Sequence, residues 1–182
     1  MKGPRFALRE ATADCHQGVD AIFGRFDLND RADYGRFLSA HARAFLPVEA
    51  ALDAAGAQAL LADWPERRRG DRLRADLAAL GMAVPAPLPF RTPPSPAALW
   101  GTLYVMEGSR LGGAMLSRGV GAGLSKTYLD PGRSGDGWRN FLAALEVSLC
   151  NEADLMAAAQ AARSLFATFE QAARTELEAT AE

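Results

Sequence analysis

The chain is poor in the residues that most often announce a chemistry. Its 182 residues include two cysteines, Cys15 and Cys150, and two histidines, His16 and His41. Neither cysteine has a partner at metal or redox spacing, so a disulfide framework, a zinc ribbon and a thiol–disulfide motif all fall away. Both are expected as reduced core residues. Charge of one sign is also lacking: 20 basic against 22 acidic residues leave −2, and no pull toward nucleic acid or an anionic membrane results. The longest apolar stretch, around 97–106, is too short to span a bilayer and is interrupted by Gly101. The opening MKGPRFALREATADCH has scattered charges and no apolar run of the kind a secretory signal needs. A cytoplasmic protein with no nucleic-acid or membrane partner is expected. The one basic run, Arg67-Arg68-Arg69, lies between Pro65 and Gly70 and reads as a solvated inter-helix turn, with a phosphate-binding patch as the minor alternative.

Strand periodicity is missing as well, and helical periodicity fills the chain. Leu8, Thr12, Cys15, Val19, Ile22 and Phe26 follow one another by steps of four and three, the stripe of an amphipathic helix. Tyr34, Phe37, Leu38, His41, Phe45, Val48 and Leu52 repeat the pattern up to Gly56, with Pro47 inside it as a kink. A short segment over 57–62 precedes Trp64-Pro65. Asp71 is expected to cap a helix bearing Leu73, Leu77 and Leu80 that stops at Gly81. Residues 82–94, MAVPAPLPFRTPP, hold five prolines and must be extended. Ser95-Pro96 supplies an N-cap and a proline at the first helical position of the next helix. That helix fades near 119–123, and 125–137 reads as a loop. Asp136 is expected to cap a helix with Trp138, Phe141, Leu142, Leu145 and Leu149. Asn151 is expected to break that helix or to re-cap the chain before the last one, which carries Leu155, Ala162, Phe166, Phe169 and Leu177. With 49% hydrophobic and 23% charged residues the chain can bury a core. The class is all-α, a helical bundle over 1–182 as a single domain, with no internal repeat.

Two features are left for function. The first is LYVMEGSRLGG, a helical stretch carrying Gly108, Gly112 and Gly113, each costing about 1 kcal/mol relative to alanine in a helix interior. Positions 101, 105, 108 and 112 share one side of a helix. They are Gly101, Val105, Gly108 and Gly112, a face of nearly bare backbone. Such a face admits another helix at close quarters, the commoner use, or a large flat ligand. The second feature is the pair of histidines. Each is either a core histidine bonded to a neighbour or a metal ligand. A di-iron bundle is excluded, because Ala13 and Leu38 stand where Glu-x-x-His needs glutamate. A c-type haem attachment, C-x-x-C-H, is also absent. What one histidine can still serve is a cofactor that brings most of its own ligands, as haem does.

LREATADCH near the N-terminus, taken with LYVMEGSRLGGAML, resembles the haem oxygenases, in particular the bacterial branch associated with bacteriophytochromes. YGRFLSAHARAFLPVEAAL and the WRNF helix start fit as well, so the resemblance covers nearly the whole chain. It implies oxidative cleavage of haem, both substrate and cofactor, to biliverdin, CO and free iron with O2 and an external electron donor. It implies His16 as proximal iron ligand, and Asp20, one turn later, where the family often has glutamate, fixing the imidazole or a water. Gly108, Gly112 and Gly113 would arch over the other haem face. Arg9, and more weakly Arg139, would meet propionates. Phe23, Met106 and Met115 are candidates to cover the ring or to be plain core. Ser109 departs from the aspartate that many members carry there; a serine holds a water but supplies no carboxylate. The proton relay would then rest on ordered water and backbone. A ferredoxin or flavodoxin-type reductase as donor and a bacteriophytochrome as biliverdin acceptor are further implications. The alternative is a non-catalytic haem-binding or haem-sensing protein on the same fold.

Overall fold

The computed structural model describes residues 3–130 and 134–179, and among them the chain forms nine α-helices, one 3-10 turn and no strand. The helices are α1 (Pro4–Ala11), α2 (Ala13–Phe23), α3 (Arg31–Ala54), the single turns α4 (Ala57–Leu60) and α5 (Trp64–Arg67), α6 (Gly70–Ala79), α7 (Pro96–Leu116), α8 (Ser134–Ser148) and α9 (Glu152–Glu178). The 3-10 turn covers Thr127–Leu129. It falls within the stretch expected as a loop, of which 131–133 lie outside the described residues.

Side-chain caps open the long helices where the sequence puts them. Ser95 Oγ accepts from the Ala98 N–H at 3.2 Å, with Pro96 next in line, and Asn151 Oδ1 accepts from the Asp154 N–H at 2.9 Å. Asp30 does the same for α3 through the Asp33 N–H. Gly56 and Gly81 stop their helices at φ 74° and 75°, where a side chain would be strained. Two expected caps are corrected. Asp71 and Asp136 lie inside the first turns of α6 and α8. The start of α6 is capped from a distance: Glu49 of α3 accepts from the Arg69 N–H at 2.7 Å and from the Gly70 N–H at 3.0 Å.

The first apolar stripe, read as one helix, is two. Thr12 leaves helical geometry at φ −121°, ψ 6°, and its hydroxyl donates to the Leu8 carbonyl at 2.8 Å. That local bond competes with the helix ladder and allows the bend between α1 and α2.

The core is built on α9, which packs against α1, α2, α3 and α7. Tyr34, Phe37, Leu38 and Phe45 of α3 are fully buried, as are Leu103 of α7, Phe141 and Leu145 of α8, and Leu165 of α9. Cys15 packs against this core only in part and Cys150 is exposed, so the expectation of two core cysteines is corrected. The arginine run departs furthest. Arg68 is exposed, but Arg67 and Arg69 are 7% and 3% exposed and turn inward under α7.

Candidate functional site

The two histidines differ in surroundings. His41 sits among the rings of Phe37, Phe23, Tyr128 and Phe169, with centroids 4.5 to 5.6 Å away. Its Nδ1 shares a 2.9 Å hydrogen bond with the Tyr128 hydroxyl. Burial, reinforced by the Arg69 charge, drives its pKa down to about 3, so the ring is neutral. It is a satisfied core histidine.

His16 sits at the surface of α2. Its Nδ1 lies 3.0 Å from Asp20 Oδ2, one turn on, and the two side chains are 64% and 68% exposed. Phe166 of α9 meets the imidazole edge-on at 5.9 Å. With Nδ1 held by the carboxylate, Nε2 is the nitrogen presented for a ligand. Arg9 is exposed on α1, and together with Arg5 it lowers the Tyr104 phenol of α7 against the larger upward push of burial. The chain thus brings an α1 cation near the α7 face. Arg139 is exposed and paired with Asp136 in the same turn.

The bare strip of α7 divides in two. A Cβ at Gly101 would sit 2.6 Å from the Ala158 carbonyl carbon and 2.7 Å from its Cα, so that glycine admits α9 at backbone contact. At Gly108 the nearest atom to such a Cβ is Trp138 Cη2 at 3.8 Å, and at Gly112 nothing lies within 4 Å. Gly113 is buried instead, against Leu129. Leu111, Met115 and Leu116 are exposed beside the open end. Of the three ring-covering candidates, Phe23 and Met106 are core residues and only Met115 is exposed.

Ser109 is engaged from behind. Its hydroxyl donates to the Met106 carbonyl at 2.7 Å and accepts from Arg69 Nη2 at 2.6 Å. Arg69 in turn lies over the Phe45 and Tyr128 rings, 4.9 and 5.2 Å from their centroids. Beside it, Arg67 donates to Glu107 at 2.6 Å, and Arg110 donates to the same carboxylate at 3.1 Å. Glu107 and Arg110 escaped the sequence reading, which placed Arg67 and Arg69 only in a solvated turn. The available signal was Glu107 and Arg110, charges one turn apart in an otherwise uncharged helix.

An exposed histidine–carboxylate pair on α2 and side-chain-free backbone on α7 are thus both carried by α9. Among the described residues no three His, Cys, Asp or Glu side chains converge as a metal site. Iron held here would therefore arrive with ligands of its own, as haem iron does, and the open space at Gly112 puts no side chain in the way of such a ring.

No family profile matches the sequence. The haem oxygenase of Xanthomonas campestris pv. campestris (strain 8004) is 37% identical over 152 residues, covering 77% of this chain and 88% of that protein. The haem oxygenase of Neisseria meningitidis, solved with NO and CO bound, matches with a TM-score of 0.84 at 22% identity, over 97% of this chain and 92% of that one. That of Leptospira interrogans matches with a TM-score of 0.72 at 19% identity, over 94% and 98%. The chain belongs to the haem oxygenase family, a family of haem-degrading enzymes. Among the described residues no helix is long and apolar enough to cross a membrane.

Proposed function

We propose that this chain cleaves haem to biliverdin, CO and free iron, holding the ring between His16 of α2 and the Gly108–Gly112 face of α7. Haem, when bound, supplies the iron that engages O2 and is itself the substrate consumed. The observation that carries the reading is the division of the glycine strip: Gly101 is spent on helix packing, whereas Gly108 and Gly112 are not. Glycines that cost about 1 kcal/mol each without packing a helix have another use.

Each residue then has a task. Asp20 fixes the His16 tautomer and turns Nε2 outward. A neutral imidazole is a weaker donor than a thiolate, which suits cleavage of the ring rather than of the O–O bond on behalf of another substrate. Gly108 and Gly112 let backbone approach the second face of the ring. Arg9 supplies a cation for a propionate, and Arg139 is the second candidate. Ser109 gives its only proton to the Met106 carbonyl, so it acts toward the site as a dipole oriented by Arg69. Proton delivery is left to ordered water held by backbone groups. A ferredoxin or flavodoxin-type reductase as electron donor, and a bacteriophytochrome as acceptor, complete the reading.

Titration of the purified protein with haem, followed by ascorbate under oxygen, tests it. Wild type is expected to give an axial-imidazole spectrum and then biliverdin absorption. His16→Ala should lose that spectrum and stay folded, and His41→Ala should keep it. The opposite pattern overturns the ligand assignment. Haem binding with no biliverdin would make the chain a haem-binding or sensing protein instead.

A further inference from the structure

The buried ion pairs behind α7 tie together three stretches far apart in the chain. Arg67, at the end of α5, donates from Nε and Nη2 to Asp63 at 2.8 and 2.7 Å, and from Nη1 to Glu107 of α7 at 2.6 Å. Nη2 also donates to the Gly137 carbonyl at 3.1 Å, in the first turns of α8. Glu107 is 3% exposed and takes a second cation, Arg110, whose Nη2 returns to the Arg67 carbonyl. Arg67 and Arg110 are both paired, by the buried Glu107 and, for Arg67, by the half-exposed Asp63 as well. One guanidinium, with its five rigidly forked donors, is what can reach all three partners at once.

The link to Gly137 has a consequence at the next residue. Trp138 presents Cη2 3.8 Å from where a Cβ of Gly108 would be, the nearest side chain to that bare backbone. Its indole stacks on Phe141 at 5.5 Å and faces Tyr104 at 6.1 Å. The wall beside Gly108 is therefore hung on α8, and Arg67 ties the start of α8 to α7 through Glu107 and the Gly137 carbonyl.

We propose that Arg67 is a positioning residue for haem cleavage: by joining Glu107 to the Gly137 carbonyl it fixes Trp138 beside Gly108, and so determines which edge of the ring is left open to attack. This rests on the placement of haem against Gly108 and Gly112. Arg67 touches neither ring nor oxygen; it acts through Trp138.

The test has one arm without haem and one with it. In haem-free protein labelled with 5-fluorotryptophan, the Trp138 fluorine resonance is assigned with Trp138→Phe and followed in Arg67→Met and Arg67→Lys. Lysine keeps a cation for Glu107 but cannot span Asp63, Glu107 and Gly137 together. Both variants are expected to shift the Trp138 resonance, Arg67→Met further. Should Arg67→Met fail to fold, Arg67→Lys decides. A resonance that stays at the wild-type position overturns the proposal. In the second arm, the biliverdin isomer ratio of Arg67→Lys and Trp138→Leu should each change, and the double variant should show coupling of about twofold or more, as residues sharing one network do. Independent, multiplying effects overturn it. A wild type that binds no haem fails the functional reading, whereas a wild type that turns over with Arg67 and Trp138 uncoupled fails only this inference.

Discussion

The two ends of the glycine strip on α7 look alike in sequence and do opposite things. Gly101 has the Ala158 backbone where its Cβ would be; Gly112 has nothing within 4 Å. The first is a packing glycine set by the crossing of α7 and α9. The second sits in a helix at a cost that no neighbouring helix recovers. The same division runs through the histidines, one closed among aromatic rings and one open beside an aspartate. Closed and open surroundings are thus separated along single elements, within a few turns.

Gly101→Leu against Gly112→Leu gives the largest contrast. Leucine at 101 must displace the α9 backbone, which costs about 3 kcal/mol or more and is expected to prevent folding or lower the melting temperature sharply. Leucine at 112 enters open space with a helix propensity better by nearly 1 kcal/mol, so the melting temperature should hold or rise. Haem binding or turnover should be lost in that variant. Thermal melts with a haem titration check both, and a Gly112→Leu protein that makes biliverdin at the wild-type rate would break the comparison.

Why one glycine could not be told from the other beforehand is instructive. Most helices were legible, because caps such as Ser95 and Asn151 act within four residues of where they sit, although the break at Thr12 was not. The His16–Asp20 pair was legible for the same reason, as an i,i+4 spacing on one helix. What decides Gly101 is Ala158, which is distant in the chain. Likewise Arg67 and Arg69 read as a charged turn because their partners, Glu107, Met106 and Ser109, belong to a helix forty residues on. Local pattern fixes elements and neighbours within a turn. Long-range partners decide whether a charge or a glycine is interior, and these were not readable.

The histidines sharpen the contrast through pH. His41 has a folded pKa of about 3 against an ordinary 6.5, so between those values the unfolded chain binds a proton that the fold refuses. Its contribution to stability is therefore whole above pH 6.5 and is lost as pH falls below it, by up to about 1.4 kcal/mol per pH unit. Carboxylates titrate in the lower part of the same window, so the readout is a difference. Denaturant unfolding of wild type and His41→Gln should show wild type losing stability relative to the variant between pH 6.5 and 4.5. The two curves should run parallel above pH 7. Parallel curves throughout would mean that His41 accepts a proton in the folded state, and the closed region would be less closed than its ring contacts indicate.

The smallest effects separate the two cations proposed for haem propionates. Arg9 is exposed on α1, near enough to Tyr104 to act on it, whereas Arg139 is exposed and already paired with Asp136. An exposed ion pair is worth about 0–1 kcal/mol, which sets a ceiling of roughly fivefold on haem affinity for either residue. Arg9→Ala should approach that ceiling. Arg139→Ala should fall well short of it, because its charge is shared with Asp136 before haem arrives. Both differences should shrink toward nothing at about 1 M salt, where charges more than about 3 Å apart are screened. A haem titration at low and high salt measures this. An affinity loss in Arg139→Ala larger than that in Arg9→Ala would reverse the assignment and place the propionates nearer the start of α8 than α1.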